Sequence, residues 1–246
     1  MTHRPPTRLD LGRTALFLDF DGTLVRFHRP DASVPVVDAG LSELLAELHG
    51  ALGGALAIIS GRAMDTLETL FSPLRLPMAG EHGSAWKTSP AGPTENIAAA
   101  PSLAAMQDAC GPLLARFPAI KLERKPYSLV LHFHIQPALR DEIARFVAAL
   151  CTPDTGLTML HARGMVEIKS ASVTKGVAVA RFLGGAPFAQ RTPVFVGDDV
   201  TDEDAFVVVN EHQGISIKVG MGSSHARFRL EDEDAVRSWL EGLLGN

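Results

Sequence analysis

The chain has 246 residues, is 46% apolar and carries a formal net charge of −5. That length suits one large domain, or a domain with a sizeable insert. A mildly acidic balance with no Lys/Arg run disfavours a nucleic-acid partner. Met1 to Arg13 is polar and lacks the apolar core of a secretion signal. Thr14–Asp19 reads as a buried parallel strand running into Asp19-Phe20-Asp21-Gly22-Thr23-Leu24, where two carboxylates leave the strand end one residue apart. Val36–Leu48 has helical spacing, with Val37, Leu41, Leu44, Leu45 and Leu48 on one face. Ala55–Ser60 is a second strand, too short to span a bilayer, and Ala63 to about Phe71 a second helix. This rhythm predicts an α/β fold, a Rossmann-like core with a parallel sheet, whose active residues sit at the carboxyl ends of the strands.

The middle of the chain changes character. Pro90 to Pro101 is a loop, and Ser102–Phe117 a helix with Ser102 as its N-cap. Ile120–Arg124 and Tyr127–His134 are strands around a Lys125-Pro126 turn, and Leu139–Leu150 is a helix. Leu157–His161 and Met165–Ile168 form a hairpin through Ala162-Arg163-Gly164. The order αββαββ predicts an α+β unit of its own, spanning 85–170 and inserted into a core of 1–84 and 171–246. Cys110 and Cys151 have no CxxC spacing and read as reduced thiols of a cytoplasmic protein, expected to be a monomer. The last third returns to α/β: a helix over Val173–Leu183, a strand over Pro193–Gly197 ending in Asp198, Asp199 and Asp202, a strand over Ile215–Val219, and a helix over Asp234–Leu244.

A parallel sheet can gather four strand-end elements: Asp19/Asp21, Ser60, Lys175 and Asp198/Asp199/Asp202. Each alone has a plain structural reading, as an acidic turn, a loop hydroxyl or a solvated lysine. In this order they resemble the four motifs of haloacid-dehalogenase-type phosphatases. Phosphoryl transfer needs a nucleophile, an acid for the leaving oxygen, and charge stabilisation. The resemblance implies that Asp19 attacks phosphorus to form an aspartyl-phosphate and that Asp21 is general acid and then base. It implies that Ser60, with Gly61 and Arg62, binds phosphate, that Lys175 neutralises charge, and that Thr23 donates to the site. Mg²⁺ would be held by Asp19, the Asp21 backbone carbonyl and Asp198, with Asp199 or Asp202 orienting a metal-bound water.

The inserted αββαββ unit is similar to the caps that cover sugar-phosphate sites. Within that branch, Gly80-Glu81-His82-Gly83, Glu123-Arg124-Lys125-Pro126-Tyr127-Ser128 with His132, Met165-Val166-Glu167 before Lys175-Gly176, and the decapeptide Gly197 to Phe206 resemble the trehalose-6-phosphate phosphatase family. A small sugar phosphate is then the expected partner. Glu123, Lys125, Ser128 and Glu167 are expected to bind sugar hydroxyls. Arg124 or Lys125 could pair with the phosphate, and Glu81 and His82 either bind substrate or shape the hinge. His134, where the family often has Arg, and Ser224-His225 depart from the pattern. The alternatives are a phosphatase of sucrose, mannosylglycerate or glucosylglycerol phosphate, a phosphomutase, and a non-enzymatic sugar-phosphate sensor. The sensor has no need of the intact Asp19, Asp21, Lys175 and Asp198.

Overall fold

The computed structural model describes residues 4–26, 35–97, 102–125, 127–133, 137–162 and 164–245. In chain order the elements are β1 (Thr14–Leu18), α1 (Ala39–Ala51), β2 (Leu56–Ile59), α2 (Met64–Phe71), β3 (Met78–Gly80), β4 (Ala85–Lys87) and β5 (Glu95–Asn96). Then follow α3 (Ser102–Ala109), α4 (Gly111–Arg116), β6 (Lys121–Arg124), β7 (Ser128–His132), α5 (Arg140–Leu150), β8 (Leu157–Ala162) and β9 (Met165–Ser170). The chain closes with α6 (Lys175–Leu183), β10 (Thr192–Gly197), α7 (Glu203–Glu211), β11 (Ile215–Val219), β12 (Phe228–Leu230) and α8 (Glu233–Leu244). Pro126 and Arg163 of the expected turns, and His134, lie outside the described residues.

The chain divides into two units, Met1–Asn96 with Thr174–Asn246, and Ile97–Val173. The first holds a sheet in the order β12-β11-β10-β1-β2-β3-β4-β5. Its strands run parallel from β12 to β3 and antiparallel from β3 to β5. β1 and β2 are buried at every position, as continuous apolar runs must be when helices cover both faces of a sheet. In one core Phe17, Phe182 and Phe188 contact one another ring to ring, and Phe195 meets Phe206 edge-on. The expected start of the insert, between 84 and 85, falls inside this sheet, because β4 is paired to β3 and β5 to β4. The short strands β3, β4, β5 and β12 and the helix α7 are additions to the sequence reading. α1 starts at Ala39, three residues later than its periodicity suggests, because Asp38 caps it and accepts the Leu41 N–H at 2.8 Å. Val36 lies outside the helix and is exposed.

The second unit is a four-stranded antiparallel sheet in the order β6-β7-β9-β8. One face of it packs on helices: Leu129, Leu131, Val166, Ile168 and Leu157 share a core with Leu103, Met106, Leu113, Ile143 and Val147. The single helix expected over Ser102–Phe117 is two helices, broken at Cys110. Pro112, near the start of α4, has no N–H to give to the preceding turn. Ser102 is the first residue of α3. Cys110 and Cys151 are free thiols, and burial raises the pKa of both. Among the described residues, no helix is long and apolar enough to cross a membrane.

Candidate active site

β1 and β10 are neighbours in register, so the residues leaving their carboxyl ends meet. The chain turns sharply after Phe20, whose carbonyl accepts the N–H groups of Leu24 and Val25 at 2.9 and 3.1 Å. Gly22 has φ +81°, and a methyl group there would overlap the Asp198 carboxylate. Glycine is therefore what lets the two loops close on one another.

Asp19 is 3% exposed, and both its oxygens are held. Lys175 Nζ donates to Oδ1 at 2.6 Å, and the Thr23 hydroxyl to Oδ2 at 3.1 Å. Lys175 is the first residue of α6, set by the Thr174 cap, whose hydroxyl accepts the Val177 N–H at 3.2 Å. The same ammonium donates to Asp202 Oδ1 at 2.7 Å. Asp202 Oδ2 accepts the N–H groups of Asp198 and Asp199 at 3.0 and 2.9 Å. Asp202 is thus wholly buried and fully engaged, and it shapes the loop that carries Asp198.

Burial pushes the Asp19 carboxyl well above the ordinary range against the pull of Lys175, with Asp202 and Asp198 adding to the rise. Burial likewise raises Asp198 to about 6, helped by Asp202 and Asp199. Burial alone would depress Lys175, but Asp19 and Asp202 together outweigh it and hold the ammonium protonated. Carboxylate oxygens of Asp19, Asp198 and Asp202 lie within 4.8 Å of one another. Asp198 Oδ1 is buried and has no hydrogen-bond partner among the described residues. Three carboxylates around one ammonium leave excess negative charge, and an all-oxygen donor set suits a hard divalent cation.

The other expected residues divide between the two units. Asp21 turns its carboxylate away from this cluster to Arg62, in a two-pronged pair of 2.6 Å each at Nε and Nη2. Ser60 follows β2, is 1% exposed, and its hydroxyl accepts the Arg62 N–H at 3.2 Å. Glu81 and His82 form a turn after β3 with φ of +47° and +58°, a left-handed conformation that costs a non-glycine residue about 1–2 kcal/mol. Their N–H groups donate to the Arg62 and Ser60 carbonyls at 2.8 and 2.9 Å. In the second unit, strand alternation puts Glu123, Ser128, His132 and Glu167 on the sheet face opposite the helices. There Ser128 donates to Glu167 at 2.6 Å, His132 lies 2.7 Å from Glu123, and Lys125 lies 3.8 Å from Glu167. Arg124 is on the helix-side face, near Gln107 at 3.4 Å.

Two lysines escaped the sequence reading. Lys218, nearly buried on β11, donates to the Asp198 carbonyl. A lone ammonium inside the apolar run Ile215–Val219 was the available signal. Lys169, opposite Ser128 on β9, is buried and donates to the Val173 carbonyl at 2.8 Å. The departure at His225 is structural: its N–H and ring both meet Glu203.

A family model described as Trehalose-phosphatase matches residues 17–234. The chain belongs to the trehalose-phosphatase family. A trehalose-6-phosphate phosphatase of Escherichia coli (strain K12) is 37% identical over 92% of this chain and 85% of its own length. The C-terminal domain of the C. albicans trehalose-6-phosphate phosphatase, 22% identical, matches the fold with a TM-score of 0.78 over 95% of this chain and 92% of that one. A haloacid dehalogenase-like hydrolase from B. subtilis, 15% identical, matches with a TM-score of 0.69 over 92% of this chain and 99% of that one. This chain accordingly has a haloacid-dehalogenase-like α/β fold with an inserted cap domain.

Proposed function

We propose that this trehalose-phosphatase family member hydrolyses trehalose 6-phosphate to trehalose and phosphate through an aspartyl-phosphate, with Mg²⁺ as its cation. The observation that carries the reading is the cluster of Asp19, Asp198 and Asp202 at the carboxyl ends of adjacent parallel strands, with the buried Lys175 ammonium bonded to Asp19 and Asp202. In this reading Asp19 is the nucleophile. Thr23 and Lys175 hold its two oxygens, so its rotamer is fixed before substrate arrives. Two anions at about 4 Å repel by roughly 4 kcal/mol at moderate dielectric. Asp19, the Asp21 backbone carbonyl and Asp198 would hold Mg²⁺, which would supply the positive charge that offsets this repulsion. Lys175 then neutralises charge on the phosphoryl oxygens, and Ser60 donates to one of them. Asp21 gives a proton to the leaving sugar oxygen and takes one from the water that opens the aspartyl-phosphate. Glu123, Lys125, Ser128 and Glu167, gathered on one sheet face, recognise sugar hydroxyls.

Phosphate release from a panel of sugar phosphates, with and without Mg²⁺, tests this. Turnover should be Mg²⁺-dependent and highest on trehalose 6-phosphate. A preference for sucrose, mannosylglycerate or glucosylglycerol phosphate moves the protein to another substrate, and phosphate returned to sugar instead of water makes it a mutase.

A further inference from the structure

The turn Glu81-His82-Gly83 is expected either to bind substrate or to shape the hinge, and its contacts point to a further use, holding the loop that follows β2. His82 lies over Gly61: an added methyl at Gly61 would sit 2.6 Å from the His82 Cε1 and 2.8 Å from its Nε2. The His82 N–H donates to the Ser60 carbonyl at 2.9 Å, and the Glu81 N–H to the Arg62 carbonyl at 2.8 Å. The Ser60–Arg62 loop is therefore clasped from one side along its whole length. Two successive non-glycine residues are held left-handed to make that clasp. Conformations of that kind persist only where the surroundings determine them, and they collect at functional sites. The far end of the turn is also pinned, because Arg181 Nη1 donates to the Gly83 carbonyl at 3.0 Å from α6, the helix that begins with Lys175. The turn thus ties the Ser60 loop to the helix that presents the ammonium.

We propose that His82 is a positioning residue for the phosphoryl group: its ring, lodged on Gly61, fixes the Ser60–Arg62 loop, and the sugar is recognised elsewhere. This rests on the reading of that loop as phosphate-binding. The remaining freedom of the loop is small, because Ser60 N–H is tied to the Ala79 carbonyl at 2.9 Å and Ser60 Oγ to the Arg62 N–H. With Ser60 so tied, losing the ring frees the Gly61 backbone above all, which shifts the Gly61–Arg62 end of the loop against the phosphoryl group.

The experiment compares wild type, His82→Asn, Gly61→Ala and the double variant. Asn is the non-glycine side chain that best tolerates the left-handed turn, so His82→Asn removes the ring and keeps the backbone. Each is assayed with trehalose 6-phosphate, with p-nitrophenyl phosphate and for inhibition by inorganic phosphate, alongside melting temperature and Mg²⁺ dependence. His82→Asn should weaken both substrates and inorganic phosphate by a common factor of about ten, with Mg²⁺ dependence unchanged. Gly61→Ala should do at least as much alone, yet add little to His82→Asn, because the methyl no longer meets a ring. A loss confined to trehalose 6-phosphate, no loss at all, or costs that multiply in the double variant would overturn the proposal. If Gly61→Ala does not fold, the common or selective loss in His82→Asn decides the matter. Absence of turnover in wild type would instead refute the function, independently of His82.

Discussion

Asp19 and Asp21 are separated by one residue and have different surroundings, and their variants should separate accordingly. Asp19 is buried between Lys175 and Thr23, whereas Asp21 is partly exposed and gripped by Arg62. Asp19→Asn should abolish Mg²⁺-dependent phosphate release, because an amide is not a usable nucleophile. Asp21→Asn should keep Mg²⁺ binding, read by calorimetry, and cut turnover about 10²-fold or more. A fall in Mg²⁺ affinity would mean that the Asp21 carboxylate, not only its backbone, is a ligand. Lys175→Met leaves Asp19 and Asp202 buried without their cation, and breaking a buried pair in this way costs about 3–5 kcal/mol. Denaturant unfolding should show that loss in the metal-free protein and a smaller one with saturating Mg²⁺. Equal losses in both conditions would mean that the cation does not share these carboxylates.

At the scale of elements, legibility followed length and apolar content. β1, β2, β10 and β11 are largely apolar runs, and the residues that leave the carboxyl ends of β1 and β10 meet in the carboxylate cluster. β3, Met78–Gly80, has neither length nor β-branched residues, and it became a strand only because β2 offered it a parallel edge. α7 was hidden because Glu203 and Asp204 read as part of an acidic motif, although acids belong in a first helical turn. The turn at Glu81-His82 was recognisable as a string but not as a conformation, since nothing local requires two non-glycine residues to be left-handed. Packing of α6 on α7 shows how closely these elements are matched. A methyl at Gly176 would lie 2.6 Å from the Asp204 carbonyl oxygen. Gly176→Ala should therefore cost about 1–3 kcal/mol in urea unfolding, and lower activity with it because Lys175 is the adjoining residue. Unchanged stability would show that the two helices can part without consequence.

Across the whole molecule the two units divide the work, and this sets a test that neither residue nor element can supply. Among the described residues, the carboxylate cluster is drawn wholly from the first unit, and the polar sheet face belongs to the second. Glu167→Gln weakens the contacts to Ser128 and Lys125 without opening a cavity. It should lower kcat/KM on trehalose 6-phosphate by about tenfold or more, and on an aryl phosphate by less than about threefold. Equal losses would place Glu167 in folding. The order of the strands also bears on how the protein is made. Asp19 waits for an ammonium 156 positions further along the chain, and β1 for β10 as its second neighbour. The inserted unit, by contrast, is continuous from Ile97 to Val173, with its sheet and helices all drawn from that stretch. On a ribosome, then, the insert can complete itself while the older half of the main sheet still carries an open apolar edge. The nascent chain is most exposed to misassociation during that interval, which closes once β10 has been translated and pairs with β1.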